Sequence, residues 1–179
     1  MRLFHISEEP DIEVFIPRYP KRNDLDKNVA IVWAINEECL PNFLTPRDCP
    51  RVAFHATPAS SPADIELFFS SPETPYVVAV ESKWLSEMTE TPLYIYEFLP
   101  EGFRLQDKAA GYYVSEKAPG IIGKTKVESP IRELFKRKIE VRLLPNLWPL
   151  ADRVKTSTLA WSLCRMAFAE SRDERQTDR

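Results

Sequence analysis

The sequence predicts an α+β fold: a single domain with a mixed or antiparallel sheet and peripheral helices. Three observations predict it. Short apolar runs rich in β-branched residues are interspersed with helix-start signals, without a regular βαβ alternation. A chain of 179 residues suits one domain better than two and can bury a sizeable core. Its 44% hydrophobic and 28% charged residues are the balance of an ordinary globular protein, so enough apolar surface exists to offset chain ordering.

The elements follow in order. Arg2 to Ser7 is β-like, and Pro10 ends it. Residues 10–28 carry Pro10, Pro17, Pro20 and the charged run Lys21 to Lys27, and read as a long surface loop. Val29 to Ile35 is a continuous apolar run, hence a buried strand. Asn36-Glu37-Glu38 looks like a helix start, which Pro41 shortens or delays. Thr45 to Pro50 is a rigid turn, and Arg51 to Ala56 a strand.

Ser61-Pro62-Ala63-Asp64 offers a cap, a proline at the first helical position and an acid three residues after the cap. Ile65, Phe68 and Phe69 then share a face. Tyr76 to Val80 is a strand, Ser82 to Met88 a short helix, and Leu93 to Phe98 a strand that Pro100-Glu101-Gly102 turns towards Phe103-Arg104-Leu105. Tyr112 to Ser115 and, more loosely, Ile121 to Val127 are strands. Ser129-Pro130 starts a helix with Ile131, Leu134 and Phe135 inward, and Val141 to Leu144 is the last strand expected. A longer helix is expected from Asn146, with Pro149 in its first turn and Val154, Leu159, Leu163 and Met166 in the core. The domain is therefore placed at 1–169, with 170–179 a frayed tail poor in apolar residues.

Composition excludes several function classes. With only Gly102, Gly111, Gly120 and Gly123, no glycine-rich dinucleotide or P-loop motif can form. A net charge of −3 argues against general nucleic-acid binding, although a local basic patch is allowed. Cys39, Cys49 and Cys164 are odd in number and widely spaced, as for reduced thiols in a cytoplasmic protein. No stretch reaches the length of a membrane span and the opening lacks a signal-peptide pattern, so a cytoplasmic protein is expected. No metal is expected either, because the short-spaced ligand pairs of zinc sites are absent.

Imidazole chemistry must use His5 or His55. Spacing alone reads His5 as a hydrogen-bonded strand residue. The functional reading needs a distant partner, and Gly111 to Glu116 supplies one: a strand ending in a hydroxyl and a carboxylate. A Cys49–His55 thiolate pair lacks the helix-start context of a reactive cysteine. Tyr94, Tyr96, Phe98, Phe103, Tyr112 and Tyr113 read as packing residues before they read as a base-stacking platform, and Arg132, Lys136, Arg137 and Lys138 as a solvated helix face.

Leu3-Phe4-His5-Ile6-Ser7 resembles the first-strand motif of ADP-ribosyltransferase-like folds, in which an aromatic–His pair followed by a small or hydroxyl residue holds the nicotinamide ribose. Val32 to Glu37 is similar in placement to their second motif, with Trp33 where tyrosine is usual, and Tyr113 to Glu116 to their third. The resemblance implies an NAD or related-nucleotide ligand, with NAD as substrate. It gives catalytic roles to His5, donating to a ribose hydroxyl, and to Glu116, stabilising oxocarbenium-like charge. It assigns ligand binding to Ser7, Trp33, Tyr113 and Ser115, with Trp33 packed on the nicotinamide. Arg18, Arg47 or Arg51 would hold the pyrophosphate through forked donors, Arg47 stiffened by its flanking prolines. Nearly the whole chain also resembles a bacterial family of unknown function, through the Leu-Phe-His opening, Pro46 to Val52 and Pro145 to Trp148.

Three functions compete: an ADP-ribosyltransferase-like protein binding NAD or a related nucleotide around His5, a non-catalytic module holding a partner or phosphate ligand, and an RNA 2′-phosphotransferase-like activity. The missing tyrosine at the second motif favours the module. The third would need several arginines converging near His5.

Overall fold

The computed structural model describes residues 1–20, 26–71 and 73–172. The charged run expected across 21–27 lies outside the described residues over 21–25, as does the expected tail over 173–179. Among the described residues no helix is long and apolar enough to cross a membrane.

The architecture is α+β. The β-rich segments fold as β1 (Leu3–Ser7), β2 (Val32–Asn36), β3 (Arg51–His55), β4 (Tyr76–Glu81), β5 (Leu93–Phe98), β6 (Arg104–Asp107), β7 (Tyr112–Ser115), β8 (Ile121–Val127), β9 (Glu140–Leu144) and β10 (Ala160–Cys164). The helices are α1 (Pro62–Phe68), α2 (Leu85–Glu90), α3 (Pro130–Lys136) and α4 (Trp148–Val154). Among the described residues the strands form a six-stranded antiparallel sheet, β6-β7-β2-β1-β5-β8, and a four-stranded sheet, β10-β3-β4-β9, with only β4 and β9 parallel.

Alternation sends successive side chains to opposite faces, so each sheet has two faces to cover. Phe4, Ile35, Leu93 and Ile95 of the first sheet meet Ala53, Val78 and Val80 of the second, with Met88 and Leu134 from α2 and α3. The other face of the second sheet, Val52, Phe54, Val77 and Ala79, is covered by Phe68 of α1 and by Leu150, Ala151 and Val154 of α4. Among the described residues no helix packs on the other face of the first sheet. Leu3, Val32, Ala34, Tyr96 and Phe98 are covered there by Phe15, carried on the irregular 8–20 segment.

The cap signal at Ser61 works as written. Its hydroxyl accepts from the Asp64 amide at 3.2 Å and donates to the Asp64 carboxylate at 2.9 Å, with Pro62 opening the helix. Asn36 behaves differently from the helix start expected. It ends β2, and its side-chain oxygen accepts from the Cys39 amide at 2.9 Å, closing a turn that leads to a 3-10 turn over Leu40–Phe43.

The long C-terminal helix is a correction. α4 stops at Val154, where the Thr156 and Ser157 hydroxyls donate to the Arg153 and Val154 carbonyls at 2.8 and 2.7 Å. Those side chains take acceptors that another helical turn would have used. Thr158 is then captured by Asp64, its amide donating at 2.8 Å, and the chain enters β10 beside β3. Leu163 is thus a strand residue, not a helical one.

Residues 170–172, expected to fray, are tied down. The Glu170 amide donates to buried Glu81 at 2.9 Å, the Trp148 indole donates to the Glu170 carbonyl at 2.8 Å, and Arg172 forks onto Asp152 at 3.0 and 3.1 Å.

Candidate functional site

β1 sits inside the six-stranded sheet, paired with β5 along its whole length but with β2 only through Leu3–Asn36 and Phe4–Ile35. Where that short ladder ends, the His5 side chain takes over. Its Nδ1 lies 3.1 Å from the Trp33 carbonyl oxygen. A carbonyl can only accept, so Nδ1 carries the proton and neutral His5 keeps its lone pair on Nε2. Burial pushes the imidazole below its usual value; the Trp33 carbonyl opposes this, and the positive charge of Arg18 adds to it. His5 is therefore a hydrogen-bond acceptor at neutral pH. With Nδ1 engaged by the Trp33 carbonyl, the neutral ring has no second N–H for the donation expected of it and offers Nε2 as an acceptor.

Arg18 reaches this place through the backbone. Its amide and carbonyl pair with those of Ile31, both at 3.0 Å, which holds the end of the 8–20 segment beside the start of β2. Its guanidinium stays in solvent, since the residue is exposed. Arg47 is brought to the end of β1: its amide donates to the Glu8 carboxylate at 2.6 Å, while its side chain is exposed. Ser7, the last residue of β1, accepts from the Glu9 amide at 3.0 Å.

Register gives the rest of the face. Val32 pairs with Ser115 and Ala34 with Tyr113, and Val32 and Ala34 belong to the cluster under Phe15, so Tyr113 and Ser115 share the His5 face. Two strand spacings, about 10 Å, separate β7 from β1. The Ser115 hydroxyl is already engaged, donating to the Lys117 carbonyl at 2.9 Å and accepting from its amide at 3.2 Å. Glu116 follows directly, exposed, with no hydrogen bond or ion pair to His5.

Two expected residues do not join this face. Trp33 lies between Val32 and Ala34 and so points to the opposite side, where its ring meets Tyr112 edge-on at 5.2 Å. It cannot stack on a ring held by His5. Arg51 is buried, with Nε donating to the Asn42 carbonyl at 2.7 Å, Nη1 to the Cys49 carbonyl at 3.1 Å, and its guanidinium over Phe43. Its donors hold the core loop together and are not available to phosphate.

The place above His5 is filled by Phe15. The two ring centroids are 4.8 Å apart, and Phe15 also meets the rings of Phe98 at 4.8 Å and Tyr96 at 5.2 Å edge-on. This face is therefore an aromatic, apolar surface around one neutral imidazole, covered by Phe15.

A second polar group gathers around His55, which the sequence offered only as a partner for Cys49. Between the sheets, the buried His55 ring stacks on Tyr76 at 4.7 Å and 10°, its Nε2 faces Glu38 at 3.6 Å, and the Tyr76 hydroxyl donates to Asn42 at 2.7 Å. Arg51 and His55 stand four residues apart in a strand buried throughout, hence on one face. That spacing was the signal available. Burial lowers the His55 pKa, with Glu38 opposing, and raises that of Tyr76, so the pair is neutral packing at physiological pH. Cys49 donates to the Pro50 carbonyl at 3.7 Å, not to His55. Among the described residues no group of three or more His, Cys, Asp or Glu could hold a metal ion.

A cavity of about 270 Å³ lies elsewhere, lined by Arg142, Leu144, Asn146, Pro149, Leu150 and Arg153. Arg142 is committed to Glu140 at 2.7 Å and to the Phe68 carbonyl at 2.5 Å, which leaves this cavity mainly apolar packing space.

A model of a family of unknown function, DUF6886, matches residues 4–169. No curated protein and no solved structure matches the chain.

Proposed function

We propose, from the premise that the chain belongs to the family of unknown function DUF6886, that it binds NAD or a related nucleotide on the His5 face of its six-stranded sheet. The observation that carries this reading is the contact of His5 Nδ1 with the Trp33 carbonyl at 3.1 Å where the β1–β2 ladder stops, with Arg18 held beside the start of β2 through Ile31. A neutral imidazole with its Nδ1 proton committed presents Nε2 as an acceptor for a ribose hydroxyl. Arg18 and Arg47, both with exposed side chains, are the forked donors for a phosphate. Ser7 and Tyr113 complete the border, and an ADP-ribosyltransferase-like role would use the exposed carboxylate of Glu116 at its far side.

A second reading, binding without turnover, is favoured by two specific observations. The Trp33 ring packs on Tyr112 on the opposite face, and the Ser115 hydroxyl is closed onto Lys117. Both leave fewer groups to position a reacting bond.

Isothermal titration of NAD into the protein and into His5→Ala tests the proposal. Heat from the unaltered protein that is lost in the variant supports it; no heat from either at millimolar ligand removes the NAD reading. Turnover abolished by Glu116→Gln would select the enzyme, and binding indifferent to that change the module.

A further inference from the structure

We propose that the cavity between β9 and α4 binds a small carboxylic acid with a compact hydrocarbon body, its charge held by Arg153 and Arg142 over an apolar floor. The cavity lies against the outer face of the second sheet and does not depend on the nucleotide reading.

Period and packing put its walls together. Arg142 and Leu144 stand two apart in β9 and so share a face. Pro149 and Leu150 stand four and three residues before Arg153 in α4, on the same side of the helix. α4 covers the second sheet, and where the two sets meet about 270 Å³ stays unfilled. Pockets for drug-sized ligands run to roughly 300–1,000 Å³. The occupant must be smaller than those.

Both guanidinium groups are anchored at one residue. Arg142 donates through Nη2 to the Phe68 carbonyl and lies 5.5 Å over the Phe54 ring. Arg153 lies 5.4 Å over the Phe68 ring itself. Phe54 and Phe68 are buried and meet edge-on at 5.7 Å, so two cations stand over one packed aromatic pair.

Their acidic partners are one too few. Glu140 takes Nε of Arg142 at 2.7 Å. Asp152, beside Arg153 in sequence, is engaged by Arg172 at 3.0 Å and Lys155 at 3.6 Å. Among the described residues no carboxylate pairs with Arg153, and Nη1 of Arg142 has no hydrogen-bond acceptor. Two like charges kept side by side with one of them uncovered favour an anion between them. A carboxylate suits guanidinium donors with its two oxygens.

The floor selects the rest of the molecule. Leu144, Pro149 and Leu150 offer hydrocarbon, whose removal from water favours an anion that carries hydrocarbon of its own. Asn146 adds no polar contact. Its side-chain nitrogen donates to the Ser171 carbonyl at 2.9 Å and its oxygen accepts from the Trp148 amide at 2.9 Å.

Hexanoate, titrated into the ¹⁵N-labelled protein, is the probe. Shifts that saturate together at Leu144, Asn146, Leu150 and Arg153 are expected; no shift at millimolar hexanoate, or shifts only elsewhere, overturns the proposal. Hexanamide has the same length without the charge. It should bind about fivefold more weakly, the loss expected for a part-exposed ion pair. Arg153→Gln should weaken hexanoate by a similar factor, and Arg153→Lys should recover part of it. Arg153 is exposed, so these changes leave the core as it is. Equal affinity for the acid and the amide, or hexanoate binding indifferent to Arg153→Gln, overturns the site. Inorganic phosphate bound as tightly as hexanoate overturns it too, because the floor would then contribute nothing.

Discussion

The Nδ1 of His5 and the carbonyl oxygen of Trp33 stand 3.1 Å apart, a side chain bonded to backbone where the ladder between their strands has ended. That contact fixes the tautomer, and it lies at the centre of the candidate site. ¹⁵N NMR of the imidazole should therefore show the Nδ1-protonated form at pH 7. A ring protonated on Nε2 alone would contradict the arrangement.

Acid should destabilise the protein through its histidines. Burial holds His5 and His55 below the unfolded value of about 6.5. Between the unfolded and the folded values the unfolded chain binds more protons, so stability falls as pH drops through 6.5 and levels off below the folded values. Urea midpoints at pH 7.5 and 5.5 should differ less in His5→Gln, which keeps a donor for Trp33, than in the unaltered protein. An equal difference would remove His5 from the effect.

Gly111 should not tolerate a side chain. Its φ is +66°, and an added Cβ would stand 2.8 Å from the Cys39 side chain and closer still to the Asn36 side-chain oxygen. Gly111→Ala should lose roughly 1–2 kcal/mol to the left-handed backbone and roughly 1–3 more to overpacking. Urea unfolding measures the sum; an unchanged midpoint would contradict the turn that follows β2.

The thiols should react in a fixed order. Burial pushes Cys49 up to about 12 and Cys39 up to about 11, whereas Cys164 is partly exposed. Because the thiolate is the reactive form, iodoacetamide followed by mass mapping should label Cys164 in the folded protein and the other two only after denaturation.

Deleting residues 170–179 should lower stability. Buried Glu81 would lose the Glu170 amide, at a cost of about 1–3 kcal/mol for an unpaired buried acceptor. A midpoint that stays in place would mean that these contacts contribute nothing.

Local signals were legible where local chemistry decides. Pro62 behind the Ser61 cap, and the β-branched run at the heart of β4, act through their own residues and neighbours. β10 was not legible, because Leu159, Leu163 and Met166 fit a helical period as well as a strand. What decides it is distant: the hydroxyls that end α4, Asp64 holding Thr158, and the free edge of β3. The division into two sheets was hidden for the same reason, being a matter of which strands meet. Within the site, the face of Trp33 followed from period two once Val32 and Ala34 were assigned to the core, so its separation from His5 could have been read. The pairing of Arg18 with Ile31, and Phe15 over the imidazole, depend on the path of an irregular segment that no periodicity encodes.

The most direct test of the central claim is ¹H–¹⁵N chemical-shift mapping during an NAD titration. Binding at the His5 face predicts shifts that saturate together at His5, Arg18, Tyr113 and Ser115 and spare α1 and α4 behind the other sheet. A spectrum that does not move, or one that moves only around Arg142 and Arg153, would contradict it.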